Sequence, residues 1–214
     1  MSRIIDRGLE EESVLLAKMG ELTYETLSIS IHGYLHGKSV EPEVRELSDL
    51  LVAMGNKVED QTFQLIARFQ PVASDLRAIK SYMKIGNDFA RYGRYALDIA
   101  VINNQISGLK ECDTATIEYI DEMSDKVLSM VRISIDALKK HDVELAHTIS
   151  ETEREVDKMY LFYLDKAIKQ RQTNSKCIIS STLITRYLER IADHAVYVCE
   201  SVVYIVTGQK IALG

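Results

Sequence analysis

Tyr187-Leu188-Glu189-Arg190-Ile191-Ala192-Asp193-His194-Ala195 sits inside an uninterrupted run from Lys176 to Thr207 that closes at Gly208. Apolar residues recur at Ile184, Leu188, Ile191, Ala195, Val198, Val202 and Ile205, in steps of four and three. That is the period of a helix with one buried seam. Each residue turns a helix by about 100°, which puts Glu189, Asp193 and Glu200 on nearly the opposite face. The stretch predicts a long helix with a greasy seam and a ladder of carboxylates behind it.

Outward from this helix, the chain reads as more of the same. Its 214 residues are 46% hydrophobic and 27% charged, enough to bury a substantial core. Only 2 prolines and 10 glycines interrupt it, leaving room for a few long helices and little else. The fold class is all-α. A first helix is expected from Asp6 to Tyr34, through Leu9, Leu16, Met19, Leu27 and Ile31, with a loop over Gly37-Lys38-Ser39-Val40. Pro42 marks the first turn of a second helix, where its missing N–H costs nothing. That helix carries Val44, Leu47, Leu51, Met54, Val58 and Leu65 toward Gln70, and Pro71 bounds it. A third runs from Ser74 to Ile106, with Ile85, Phe89, Tyr92, Ala96 and Ile99 as its seam. Gly108 and Asp113 bracket a connection, and Asp113 caps a fourth helix, Thr114 to Lys139. Asp142 caps a fifth, Val143 to Gln170, and the loop Arg171 to Ser175 leads to the last. Helices of about 25 to 33 residues span roughly 40–50 Å. These are bundle lengths.

Charge and punctuation exclude several classes. A net charge of −6 is the wrong sign for nucleic acid binding. The amino terminus has neither the apolar run nor the cleavage pattern of a secretory signal. The most apolar window, Val196 to Val206, is about half the ~20 residues a membrane span needs, and Glu200 interrupts it. A cytoplasmic protein without membrane insertion is expected. Cys112, Cys177 and Cys199 form no Cys-x-x-Cys pair; Cys177 and Cys199 lie among apolar residues and read as buried, inert thiols. His32 and His36 have a chelating spacing, but no acid or cysteine nearby completes a set, so they read as a solvated helix end. No Gly-rich loop and no Arg cluster for an anion is evident.

One shift relates the two ends of the chain. Displaced by 99 residues, Ile85, Phe89, Tyr92, Ala96 and Ile99 fall on Ile184, Leu188, Ile191, Ala195 and Val198. A shift of 98 aligns Glu46-Leu47 with Glu144-Leu145 and Val58-Glu59 with Val156-Asp157. Two copies of a three-helix unit are expected, residues 1–108 and 109–214, packed side by side.

At these residues the chain resembles the PhoU family. Tyr187 to Ala195, followed by Val202-Val203-Tyr204-Ile205-Val206-Thr207-Gly208, looks like the family's second signature. Gln70-Pro71-Val72-Ala73-Ser74-Asp75-Leu76-Arg77-Ala78-Ile79, followed by Lys84-Ile85, looks like the first, and Val156-Asp157 matches a third recurring element. The resemblance implies six helices in two bundles and a non-enzymatic regulator of phosphate uptake and homeostasis. It would act by contact with a phosphate ABC transporter ATPase subunit, a sensor histidine kinase, or both. A homodimer is compatible with it. It also implies metal binding, iron first, with manganese, magnesium or zinc as alternatives, through acids spaced Glu/Asp-x-x-x-Asp.

In the second repeat that pattern is complete: Glu153 and Asp157, Glu189 and Asp193. Residues four apart stack on one helical face, and two facing pairs would converge hard oxygen ligands suited to iron, manganese or magnesium. Spacing alone is weak, because roughly five such pairs arise by chance among 32 acids, most of them on solvated faces. His194 would serve as an outer hydrogen-bonding partner or as an ordinary polar residue. The first repeat has Gly55, Glu59, Ala90 and Arg94 at the equivalent positions. It is read as a degenerate copy of a divergent member, with Arg94 paired to Glu59 or Asp98 and no metal. Two other readings compete: a metal-free helical adaptor for another transporter, and a di-iron carboxylate enzyme. The enzyme needs two Glu-x-x-His motifs, and only Glu144-Leu145-Ala146-His147 is present.

Overall fold

The computed structural model describes residues 3–106, 108–169 and 174–214. The chain runs α1 (Ile4–His36), α2 (Glu41–Phe69), α3 (Ala73–Ile106), a short 3₁₀ turn (Gly108–Glu111), α4 (Thr114–Lys140), α5 (Val143–His147), α6 (Ile149–Lys169) and α7 (Ser175–Thr207). This is the all-α, six-helix architecture, with the fifth helix in two pieces, α5 and α6. The break follows from Thr148. Its hydroxyl donates to the Leu145 carbonyl at 2.7 Å and its own N–H donates to that same carbonyl at 3.2 Å, a local alternative to helical bonding that threonine offers. The expected end of the fifth helix at Gln170, and the loop residues Arg171, Gln172 and Thr173, lie outside the described residues.

Caps fall where side-chain chemistry permits them. Asp113 accepts the Thr116 N–H at 2.7 Å and Asp142 accepts the Leu145 N–H at 2.9 Å, each satisfying a donor the first helical turn leaves orphaned. Pro42 occupies the first turn of α2. Gln70 turns left-handed just before Pro71, so α2 stops there. At the far end Gly208 closes α7 at φ 75°, a conformation that favours glycine.

Helices α1, α2 and α3 pack on one another, as do α4, α6 and α7, and the halves meet where α3 crosses α7 and α1 meets α4. The two seams matched by the repeat shift, Ile85 to Ile99 and Ile184 to Val198, are buried throughout. At such a position a Leu188→Ala truncation costs about 2–5 kcal/mol. Gly93 permits close approach of α2, since an added β-carbon would sit 2.8 Å from the Leu51 side chain. The residues of the first signature serve the frame. Asp75 accepts the Val72 N–H at 3.1 Å and two bonds from Arg3, and the Arg77 guanidinium lies against Gly208, 3.5 Å from where a β-carbon would stand.

One cysteine reading is corrected. Cys199 is a buried free thiol, as expected, but Cys177 is bonded to Cys112. The two are 65 residues apart, and their α-carbons come within 5.2 Å because the 3₁₀ turn lies against α7. That separation is one a disulfide can bridge.

Candidate metal centre

Helices α6 and α7 lie side by side in the second half, and their acids meet between them. Carboxylate oxygens of Glu153, Asp157 and Asp193 all lie within 4.8 Å of one another, the one group of three metal-type side chains among the described residues. Glu153 is buried and the other two are half-buried. Asp193 and Glu153 also line a groove of about 210 Å³ with Val196, Tyr197, Glu200 and Gly214. Glu200, two turns beyond Asp193, was legible from its seven-residue spacing but has no partner four residues away to flag it. Its Oε1 accepts the Leu213 N–H at 3.2 Å, which folds the final residues over the groove.

Glu189, the fourth predicted ligand, stands outside that group of three. Its Oε1 is held at 2.6 Å by Arg186, while its Oε2 is buried and accepts no hydrogen bond. Arg190 reaches Asp193 at 3.4 Å and Glu189 at 3.9 Å. Burial, and after it the charges of Asp157 and Asp193, raises the Glu153 carboxyl above the usual range. Burial likewise raises Glu189, with Asp193 adding to it and Arg186 and Arg190 opposing it. Asp193 is raised by burial, with Arg190 opposing it and Asp157 adding to it. Clustered, partly desolvated carboxylates repel one another, and a hard cation relieves both burdens. Three converging carboxylate oxygens fit iron, manganese or magnesium better than a thiolate-preferring metal.

His194 turns away from these acids. It is buried, and its Nδ1 lies 2.8 Å from Asp88 Oδ1 on α3. Its ring packs against Tyr92, Tyr95 and Tyr197. Tyr95 and His194 are equivalent under the repeat shift, so the relation between the halves runs through their contact. His32 and His36 stack at 4.0 Å, and a His36 ring nitrogen lies 3.0 Å from the His32 carbonyl oxygen. Glu144 and His147 are exposed on α5, outside the bundle interior a di-iron site would occupy.

The first half builds its counterpart from other residues. Gly55, Glu59, Ala90 and Arg94 do come together, lining a cavity of about 680 Å³. The pairing expected for Arg94 is corrected: among the described residues it forms no ion pair with Glu59 or Asp98. Burial raises the Asp98 carboxyl and Arg94 pulls it back, but the guanidinium is exposed, and water leaves an exposed pair little to gain.

A sequence model described as the PhoU domain matches residues 16–102 and 120–202. Both halves match, so the expectation of a degenerate first repeat is not supported; the departure is confined to Gly55, Ala90 and Arg94. The chain is 28% identical over 216 residues to the phosphate-specific transport system accessory protein PhoU homolog of Clostridium acetobutylicum, covering 99% of this chain and 98% of that protein. It is 27% identical to the Pseudomonas aeruginosa homolog, over 99% of this chain and 88% of that one. The crystal structure of PhoU from Pseudomonas aeruginosa superposes with a TM-score of 0.86 at 26% identity, over 95% of this chain and 99% of that chain. PhoU from Streptococcus pneumoniae shares the fold with a TM-score of 0.75.

Proposed function

The chain belongs to the PhoU family of phosphate transport accessory proteins, regulators and not enzymes, and on that premise we propose that it acts through a metal-organised acidic face. The convergence of Glu153, Asp157 and Asp193 oxygens within 4.8 Å carries this reading. Those three residues, with Glu189, would hold the ion, iron first and manganese or magnesium next. A bound cation would supply fixed positive charge and cross-link α6 to α7. Arg186 and Arg190 then hold Glu189 and Asp193 in position and screen them until the ion arrives. The face so ordered would dock on the ATPase subunit of a phosphate ABC transporter, on a sensor histidine kinase, or on both, and restrain uptake when phosphate is plentiful. A cytoplasmic site of action belongs to the same proposal, because both partners present cytoplasmic surfaces; no described helix is long and apolar enough to cross a membrane. The division into working units at residues 1–108 and 109–214 belongs to the same proposal.

One observation favours a second reading. Arg186 and Arg190 already offset part of the acidic charge, as a metal-free adaptor docking by charge alone would need. Elemental analysis of the purified protein beside Asp157→Ala with Asp193→Ala separates the two. The metal reading expects iron or manganese in the first and its loss from the second, with helicity and melting nearly unchanged. Equal metal content in both, or none in either, leaves the adaptor.

A further inference from the structure

The cavity in the first half carries the opposite chemistry to the groove in the second. Lys84, Arg91 and Arg94 line it, with Asn56, Asn87 and a single carboxylate, Glu59. Its floor is bare because Gly55 and Ala90 stand where the second half has Glu153 and Glu189; a β-carbon on Gly55 would lie 3.4 Å from that of Ala90. Arg91 is the repeat counterpart of Arg190. Arg190 leans on Glu189 and Asp193, but the matching neighbours of Arg91 are Ala90 and Arg94. Among the described residues neither Arg91 nor Arg94 makes an ion pair. Lys84 lies 5.1 Å over the ring of Tyr197, a residue that also lines the acidic groove, so the two sites are neighbours. In a protein of net charge −6, three cations that form no ion pair among the described residues line one cavity with two carboxamides and a single carboxylate, Glu59.

We propose that this cavity binds a phosphate-type oxyanion. Two guanidinium forks, an ammonium and two amides line the cavity, and together they offer more than enough donors for a tetrahedral dianion. Glu59 adds a selective element. A carboxylate repels an anion unless that anion carries a proton to donate, and hydrogen phosphate does so near neutrality while sulfate does not. The site occupies the repeat positions at which the second half carries Glu153, Glu189 and Asp193, and it does not rest on the metal reading of the second half.

The test is calorimetric titration of chelator-treated protein, so that no metal can recruit the anion, with inorganic phosphate, phenyl phosphate and sulfate at matched ionic strength. Saturable one-to-one binding of phosphate is expected, with sulfate at least about tenfold weaker. Preference for inorganic phosphate over the monoester identifies the free ion as the source; the reverse preference identifies an esterified one. Arg91→Ala with Arg94→Ala should lose about tenfold or more in affinity, while Asp157→Ala with Asp193→Ala keeps it. Both arginines are exposed, so their truncation spares the core. Amide shift changes in the wild-type protein on adding phosphate should localise to α2 and α3 whatever the variants do. The proposal fails if neither phosphate probe saturates, if the folded double variant binds as the wild type does, or if the shifts map elsewhere.

Discussion

The two halves of this molecule share a frame and carry different chemistry in the equivalent groove. Between α6 and α7, Glu153, Asp157 and Asp193 crowd together; between α2 and α3, the same frame holds Lys84, Arg91 and Arg94 around a bare floor. The seams behind both grooves are equally buried. Packing therefore does not decide the chemistry. Exchanging side chains on the outward face of a helix leaves the core untouched, so one fold can host a cation site and an anion site next to each other.

The largest effect expected from breaking the comparison concerns the staple that only the second half carries. Cys112 and Cys177 close a span of 65 residues, and Cys112→Ser should cost about 4 kcal/mol in oxidised protein if loop entropy governs. Hydrogen exchange should quicken at the start of α7 and leave α2 and α3 unchanged. A cytoplasm keeps thiols reduced, so a reducing agent should abolish the difference between wild type and variant.

Next in size is a transplant. Ala90→Glu with Arg94→Asp places two acids beside Glu59 and removes a cation. Phosphate affinity should fall by about a hundredfold, and a second, weaker manganese equivalent should appear by paramagnetic titration. A transplant that left phosphate binding intact would break the comparison at its first half.

A lone buried acid asks whether burial without clustering suffices to raise a carboxyl here. Glu12 on α1 is 2% exposed with an unpartnered Oε2, and burial pushes its carboxyl up to about 7, with Lys57 opposing. The folded value exceeds the unfolded one, so the charged form destabilises the protein as pH rises toward and beyond 7. Glu12→Gln should raise stability by about 3 kcal/mol at pH 8 and by less than about 1 kcal/mol near pH 5, as chemical denaturation would show.

The smallest effect comes from the acids of the second half. Burial raises Glu153, Glu189 and Asp193, so the metal-free protein should gain stability as pH falls through the window between their raised values and the ordinary carboxylate range. Metal affinity should move the other way, falling about tenfold per pH unit for each proton the ion must displace.

Much of this was readable in the chain. The four-three seam of α7 and its 99-residue echo in α3 carry the fold, because helical period and burial are local consequences of sequence. Glu153, Asp157 and Asp193 could be matched by spacing and resemblance. Glu189 was matched too, but Arg186, three residues before it, turns it aside. The Cys112–Cys177 bond depends on how the 3₁₀ turn crosses α7, which no local pattern encodes. Lys84, Arg91 and Arg94 escaped for a related reason: seven and three residues apart, they form no cluster along the chain and become one only when α3 coils and α2 supplies the opposite wall.

Manganese binding to chelator-stripped protein, followed by paramagnetic resonance in the wild type and in Asp157→Ala with Asp193→Ala, tests the opposition of the two grooves most directly. The account predicts one class of bound ion in the wild type, with affinity at least about a hundredfold lower in the variant and melting nearly unchanged. A folded variant that binds manganese as tightly as the wild type would contradict it.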